Sequence, residues 1–248
     1  MTLQDLVAHF YGVFGRRNDI FLPDLRTRID LLNFGVADLR DGIRKHPKEQ
    51  RVMEVALARI FSRICCINHS LPTIELGRYL SIKFGQGCGY CGQAPCVCDP
   101  NRPREVLYGE VDTNTSEWSL SQWCQHLDAL YGDNNRVAGV YNALSRLVDE
   151  YAEFQRLYVG IPAWTGTQGQ LESELGLELA DTLAWVIAVA NVLGVDLEQV
   201  VWQHYGAGCK NCQAISCLCP RHNLQQIDWN AWLQDGGKSG VSSFVKAE

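Results

Sequence analysis

The stretch LESELGLELADTLAWVIAVANVLG, residues 171–194, decides the fold. It contains no proline, helix formers dominate it, and Gly194 is a natural stop. From Leu175 to Leu193 a helix would be apolar on nearly every side, which marks a buried element. Yet Glu178 and Asp181 lie inside it, three residues apart and so on one face. Just upstream, Val140, Leu144, Leu147, Tyr151, Phe154 and Tyr158 recur at spacings of four and three. That is the core-facing stripe of a second helix. Asp149, Glu150 and Glu153 ride on it, with Glu150 and Glu153 again an i, i+3 pair. They sit about 100° round the helix from the stripe, beside it rather than opposite.

Outward from this stretch the chain repeats itself. Cys88, Cys91, Cys96 and Cys98 read CGYCGQAPCVC, and Cys209, Cys212, Cys217 and Cys219 read CKNCQAISCLC. Both follow C-x2-C-x4-C-x-C, at an offset of 121. Leu76 and Phe84-Gly85-x-Gly87 match Leu197 and Tyr205-Gly206-x-Gly208 at the same offset. Leu3, His9, Gly15 and Asn18 return as Leu120, His126, Gly132 and Asn135, offset 117, and Leu32 and Ala37-Asp38-Leu39 return as Leu147 and Ala152-Glu153-Phe154, offset 115. Two homologous repeats follow, 1–103 and 119–222, with a polar, turn-rich linker at 104–118 and a tail at 223–248 in which Trp229 and Trp232 could dock. No segment alternates with period two for long enough to build a sheet. The expected fold class is all-α: two tandem helical-bundle units forming an internal pseudodimer, each ending in a small four-cysteine knuckle.

The composition limits the function. Of 248 residues, 46% are hydrophobic and 20% charged, and the formal net charge is −6, which weighs against nucleic-acid binding through bulk charge. Seven Trp, nine Tyr and eight Phe suffice for a core and argue against extended disorder. The longest apolar run, 183–195, is short for a bilayer and contains Asn191, so no membrane partner is expected. MTLQDLVAHF lacks the basic segment and apolar run of a secretory signal. The eleven cysteines are therefore expected in a reducing cytoplasm, where clusters read as metal ligands rather than disulfides.

A single acidic pair on a helix is ordinarily a solvated face. Two pairs on adjacent helices, one strongly apolar, are different, because carboxylates brought together in apolar surroundings repel unless protons or cations neutralise them. No matching run of Lys or Arg lies on these helices. A hard divalent ion, Mg²⁺ or Mn²⁺, suits an all-oxygen ligand set.

Asp149-Glu150-x-x-Glu153, then 24 residues, then Glu178-x-x-Asp181 resembles the E-E-x-x-E … E-x-x-D signature of MazG-like nucleotide pyrophosphohydrolases. The following AWVIAVANVLGVDLEQVV looks like the stretch that commonly succeeds it. The likeness covers about 120 to 208, and reaches the first repeat only through the duplication. Asp149 departs from the family's usual Glu, at the position least concerned with the metal. The resemblance implies an all-α fold and Mg²⁺-dependent hydrolysis of nucleoside triphosphates to monophosphate and pyrophosphate. It implies that Glu150, Glu153, Glu178 and Asp181 hold the metal, with Glu150 or Glu153 activating the attacking water. It also leaves room for further homodimerisation.

In the first repeat Glu150, Glu153, Glu178 and Asp181 map to Gly35, Asp38, Leu57 and Ile60, so that repeat is expected to be non-catalytic. Arg59 and Arg63 fall near its lost positions and could reach across to the working site. Arg146, one turn before Glu150, could meet a phosphate or simply pair with Glu150. Trp164, in the loop between the acidic helices, could stack on a base or merely pack. The paired cysteine spacings favour two closed structural Zn²⁺ sites, with iron–sulfur clusters as the alternative, and Gly87 and Gly208 suit the tight turn into each. Cys65, Cys66 and Cys124 read as plain thiols, and His9 and His126 as packing residues. A zinc-knuckle adaptor or nucleic-acid-binding module on a helical scaffold is the alternative function.

Overall fold

A computed structural model describes residues 1–98, 109–110, 112–219 and 228–236. As the patterns predict, the chain is all-α, with no strand among the described residues. The helices are α1 (Leu3–Phe21), α2 (Leu25–Lys45), α3 (Gln50–His69), α4 (Leu76–Phe84), α5 (Thr113–Ser116), α6 (Leu120–Ala138), α7 (Val140–Val159), α8 (Gln168–Leu193), α9 (Leu197–Tyr205) and α10 (Trp229–Gln234). A 3-10 turn at Ile161–Ala163 lies between α7 and α8.

Local chemistry sets the helix ends. Ser119 with Gln122, and Thr167 with Gln170, form capping boxes that satisfy the first free amides of α6 and α8. Asp24 caps α2 by accepting from the amides of Arg26 and Thr27. Gly194 takes the left-handed conformation, φ 67°, that closes α8. Helix α8 is long and apolar enough by composition to cross a membrane, but 72% of its most apolar window is buried inside the protein. Here it serves as a core helix. On α7, Leu144, Leu147, Tyr151 and Phe154 of the apolar stripe are buried, while Val140 and Tyr158 are half-buried.

The compact bodies of the fold cut across the sequence repeats. Among the described residues, one body comprises 1–6, 71–98, 109–110 and 112–197, the other 7–70, 198–219 and 228–236. The first body thus joins α6, α7 and α8 of the second repeat to α4 and the knuckle of the first. Within it α7 and α6 pack on α8, and so does α4. The second body joins α2, α3 and most of α1 to α9 and the second knuckle, and α2 packs on α3. Matched hydrogen bonds hold the exchanged helix in each. His126 Nε2–H donates to the carbonyl of Phe84 at 2.7 Å in the first body, and His9 Nε2–H to that of Tyr205 at 3.0 Å in the second. The recurrent histidines are packing residues, fastening the end of α4 or α9 to the neighbouring helix.

Of the linker 104–118, residues 109–110 and 112–118 are described and contain α5; the rest lies outside the described residues. Of the tail, 228–236 is described. Trp229 and Trp232 are buried at 3% and 2% exposure, the Trp229 indole N–H donates to the carbonyl of Asp38, and Arg51 lies over the Trp232 ring. The two tryptophans dock into the second body.

Candidate metal centres

The carboxylate site lies wholly within the first body. Helix α7 supplies Glu150 and Glu153, and α8 supplies Glu178 and Asp181. One oxygen from each of Glu150, Glu153 and Glu178 lies within 4.8 Å of the others. The fourth carboxylate does not join this triplet: Asp181 forms an ion pair with Lys83 of α4. Both partners are largely buried, with side chains 15% and 12% exposed. Lys83 therefore belongs to the site although it comes from the other repeat. Only the exchange of α4 between the repeats brings it there, and nothing in its local sequence marks it.

A close approach of backbone to ring seats α4 on α8. A Cβ on Gly176 would lie 2.4 Å from the Tyr79 ring, so only a glycine lets that ring lie flat against the helix. Tyr79 and Lys83 are four residues apart and share a face of α4. The Tyr79 contact and the Lys83–Asp181 pair therefore hold the same face of α4 on α8.

The electrostatics are those of an under-neutralised acidic pocket. Burial pushes the carboxyls of Glu150 and Glu178 above the usual range; Lys83 opposes this, and the neighbouring glutamates add to it. A hydrogen bond from the Trp185 indole also steadies the charged form of Glu150. Glu178 Oε2 is sealed from solvent and has no hydrogen-bond partner among the described residues. A buried carboxylate oxygen without a donor is costly. One lysine against the three clustered glutamates and Asp181 leaves net negative charge. An all-oxygen donor set with a sealed, unpartnered oxygen fits a hard divalent ion.

The remaining site candidates are less engaged. Arg146 is exposed and lies 3.8 Å from Asp149 as a surface i, i+3 pair, and its charge also acts on Glu150. Glu153 is the most open of the triplet, 50% exposed, with Arg156 at 3.9 Å. The Trp164 indole N–H donates to the carbonyl of Thr167, and a Cβ on Gly166 would lie 2.8 Å from its ring. That ring packs on its own loop.

Both cysteine quartets form clusters with one Sγ of each residue within 4.8 Å of the others, a set that could hold zinc. All eleven cysteines are free thiols. Gly87 and Gly208 have φ of 131° and 108°, and a Cβ on either would lie 2.5 or 2.6 Å from the carbonyl of Gly92 or Ala214. The turn into each cluster therefore requires glycine. Each knuckle is tied to its own body by a backbone bond, Cys96 N–H to Leu130 at 2.9 Å in the first and Cys217 N–H to Val13 at 2.8 Å in the second. Within each quartet the amide two residues after the third cysteine points at its sulfur, Cys98 to Cys96 at 3.5 Å and Cys219 to Cys217 at 3.4 Å. Such amides stabilise thiolate charge. Of the three other cysteines, Cys65 is buried, and Cys66 and Cys124 are half-buried.

In comparisons with known proteins, the chain matches no family model, no curated protein and no solved structure.

Proposed function

We propose that this chain is a Mg²⁺- or Mn²⁺-dependent nucleoside triphosphate pyrophosphohydrolase with one active site, in the first body. The observation that carries the reading is the Glu150–Glu153–Glu178 triplet with its sealed, unpartnered Glu178 oxygen. The signature resemblance of the acidic helices points the same way. Glu150, Glu153 and Glu178 would hold the ion, joined by Asp181. A bound divalent ion would offset the charge that builds on the phosphate oxygens during phosphoryl transfer. Glu153, at the solvent side of the triplet, would hold the attacking water and take its proton. Lys83, released from Asp181, would pair with a phosphate oxygen. Water adds to phosphorus as the phosphoanhydride bond breaks, giving the nucleoside monophosphate and pyrophosphate. The free thiols and metal-ready clusters fit a reducing cytoplasm.

The test is pyrophosphate release from a panel of ribo- and deoxyribonucleoside triphosphates, with Glu178→Ala as control. Mg²⁺-dependent release by the wild type that is lost in the variant is expected. No release from any nucleotide overturns the assignment and favours a binding module. One observation supports that second reading: the residues between the last two cysteines of the knuckles, Val97 and Leu218, are exposed at 64% and 45%.

A further inference from the structure

The second body holds the counterpart of the carboxylate site, and there the charge is reversed. At the position equivalent to Glu150 stands Gly35. A Cβ on Gly35 would lie 2.7 Å from Nη1 of Arg63 and 3.0 Å from Cγ1 of Ile60. The volume that a glutamate stem would fill is taken by a guanidinium. One carboxylate survives, Asp38, and it is engaged: its Oδ2 accepts from Nη1 of Arg59 at 2.9 Å, with both side chains largely buried.

Arg63 differs from the other enclosed arginines. Arg28 has its nitrogens committed to the carbonyl of Leu22, to Ser70 Oγ and to Asp19. Nη1 of Arg63 is sealed from solvent with no hydrogen-bond partner among the described residues. Nε of Arg17 is in the same condition, although the Arg17 head reaches Cys217 Sγ at 3.8 Å. The fields of Arg17, Arg59 and Arg63 all fall on the phenol of Tyr205, which burial keeps protonated and so able to donate. Burial, with Arg59 beside it, pulls the Arg63 guanidinium down to about 9, and the Asp38 carboxylate, already taken by Arg59, only partly opposes this. A guanidinium does not surrender its proton in a protein. The remedy for enclosed, unmatched positive charge is an anion. As whole residues Arg63 and Arg17 are half-buried, while Nη1 of Arg63 and Nε of Arg17 are closed off. The planar donor fork suits a tetrahedral oxyanion of phosphate type.

We propose that the second body binds a phosphate-type oxyanion at Arg63, with Arg59 and Arg17 completing the positive wall. The duplicated fold then carries a cation site in one body and an anion site at the equivalent place in the other. This inference does not depend on the hydrolase reading. The anion could be inorganic phosphate, pyrophosphate or the phosphate of a nucleotide.

The experiment is calorimetric titration of the full chain, zinc retained and no divalent ion added, with orthophosphate, pyrophosphate and a nucleoside 5′-monophosphate in turn. Without a divalent ion the acidic site repels all three. Saturable binding of one anion per chain is expected, unchanged in Glu178→Ala and weakened about tenfold or more in Arg63→Met, as loss of a charge-assisted hydrogen bond implies. Tighter binding of the inorganic anions assigns the site to them; tighter binding of the monophosphate assigns it to a nucleotide. Should Arg63→Met fail to fold, Arg63→Gln and Arg63→Lys supply the comparison, the lysine keeping part of the affinity that the glutamine loses. No saturable binding of any of the three by the wild type, beyond chloride at equal ionic strength, overturns the proposal. So does affinity that is indifferent to the side chain at position 63.

Discussion

Lys83 and Asp181 form an ion pair that joins the last helix of the first repeat to the longest helix of the second, inside one compact body. The pair lies beside the Glu150–Glu153–Glu178 triplet; burial lowers the Lys83 ammonium below its usual range, and the negative charge of the three glutamates opposes that shift. Lys83 is thus an internal counterion for a cluster that would otherwise repel itself. It is also a competitor for any bound metal.

Replacing Lys83 with Met therefore has opposite effects with and without a divalent ion. In metal-free buffer the variant leaves Asp181 unmatched, and a loss of roughly 1–3 kcal/mol is expected, below the range for a fully buried pair because water still reaches this one. Added Mg²⁺ or Mn²⁺ should raise the Tm of the variant by more than it raises that of the wild type, as selective binding to the folded state requires. A variant whose Tm ignores both ions speaks against the metal reading of the triplet.

Gly176→Ala tests how Lys83 is positioned. The new methyl would meet the Tyr79 ring at 2.4 Å, far inside contact distance, and α4 must shift or the ring must turn. Overpacking of this kind costs about 1–3 kcal/mol. The same substitution in a Tyr79→Leu background should cost much less, because the clash is with the ring. Equal costs in the two backgrounds would show that Gly176 matters for some reason other than that contact.

What could be read from the sequence was what local periodicity controls. The apolar stripe of α7, the stop at Gly194 and the cysteine quartets depend on neighbours within a turn or two, and the folded chain places them as the pattern predicts. The position of Lys83 depends instead on which bundle α4 joins. Both repeats carry the same binding features, His9 with Tyr205 and His126 with Phe84, so a repeat could have closed on its own last helix or on the other's. Tertiary packing makes that choice, and no single-repeat signal encodes it. The sequence pattern groups Asp181 with the three glutamates and carries no sign of its pairing with Lys83 for this reason. The docking of Trp229 and Trp232 was readable as a possibility because two bulky indoles in a polar tail need a surface. The reversal of charge at Arg63 depends on the missing side chain of Gly35, a contact across two helices that no local pattern encodes.

The knuckles give a prediction that is independent of the acidic site. Elemental analysis of the purified chain should find two zinc ions, one for each quartet. Cys96→Ser and Cys217→Ser should each lose one, and the loss should be felt in the body to which that cysteine is tied, through Leu130 or Val13. Structural zinc binding is worth many kcal/mol, roughly 10 or more in small zinc domains, so a strong chelator should lower the Tm sharply. Iron with visible absorbance would replace zinc by a cluster. A chain equally stable with and without chelator would show that the quartets hold no structural ion.

Stability against mild acid should fall because of two histidines in the second body. Burial lowers His204, with Lys210 and Arg51 adding to the effect and a hydrogen bond to the Val200 carbonyl opposing it. Burial also lowers His69, helped by Arg28 and opposed by Asp19. For both, the folded chain binds a proton less readily than the unfolded chain, whose histidines titrate near the ordinary value of about 6.5. Above that value both states are neutral at these positions and the full stability is present. As the pH falls through it the unfolded state takes up protons first, so stability drops until the folded-state value is passed and then levels off. Thermal unfolding between neutral pH and about pH 5 should therefore show a declining Tm, with a shallower decline in His204→Gln, whose side chain keeps a hydrogen-bonding group but cannot titrate. His69 is more exposed, so His69→Gln should flatten the curve less. An identical pH slope in wild type and His204→Gln would mean that the His204 imidazole is not the group being charged, and the acid sensitivity would then have to come from the carboxylates.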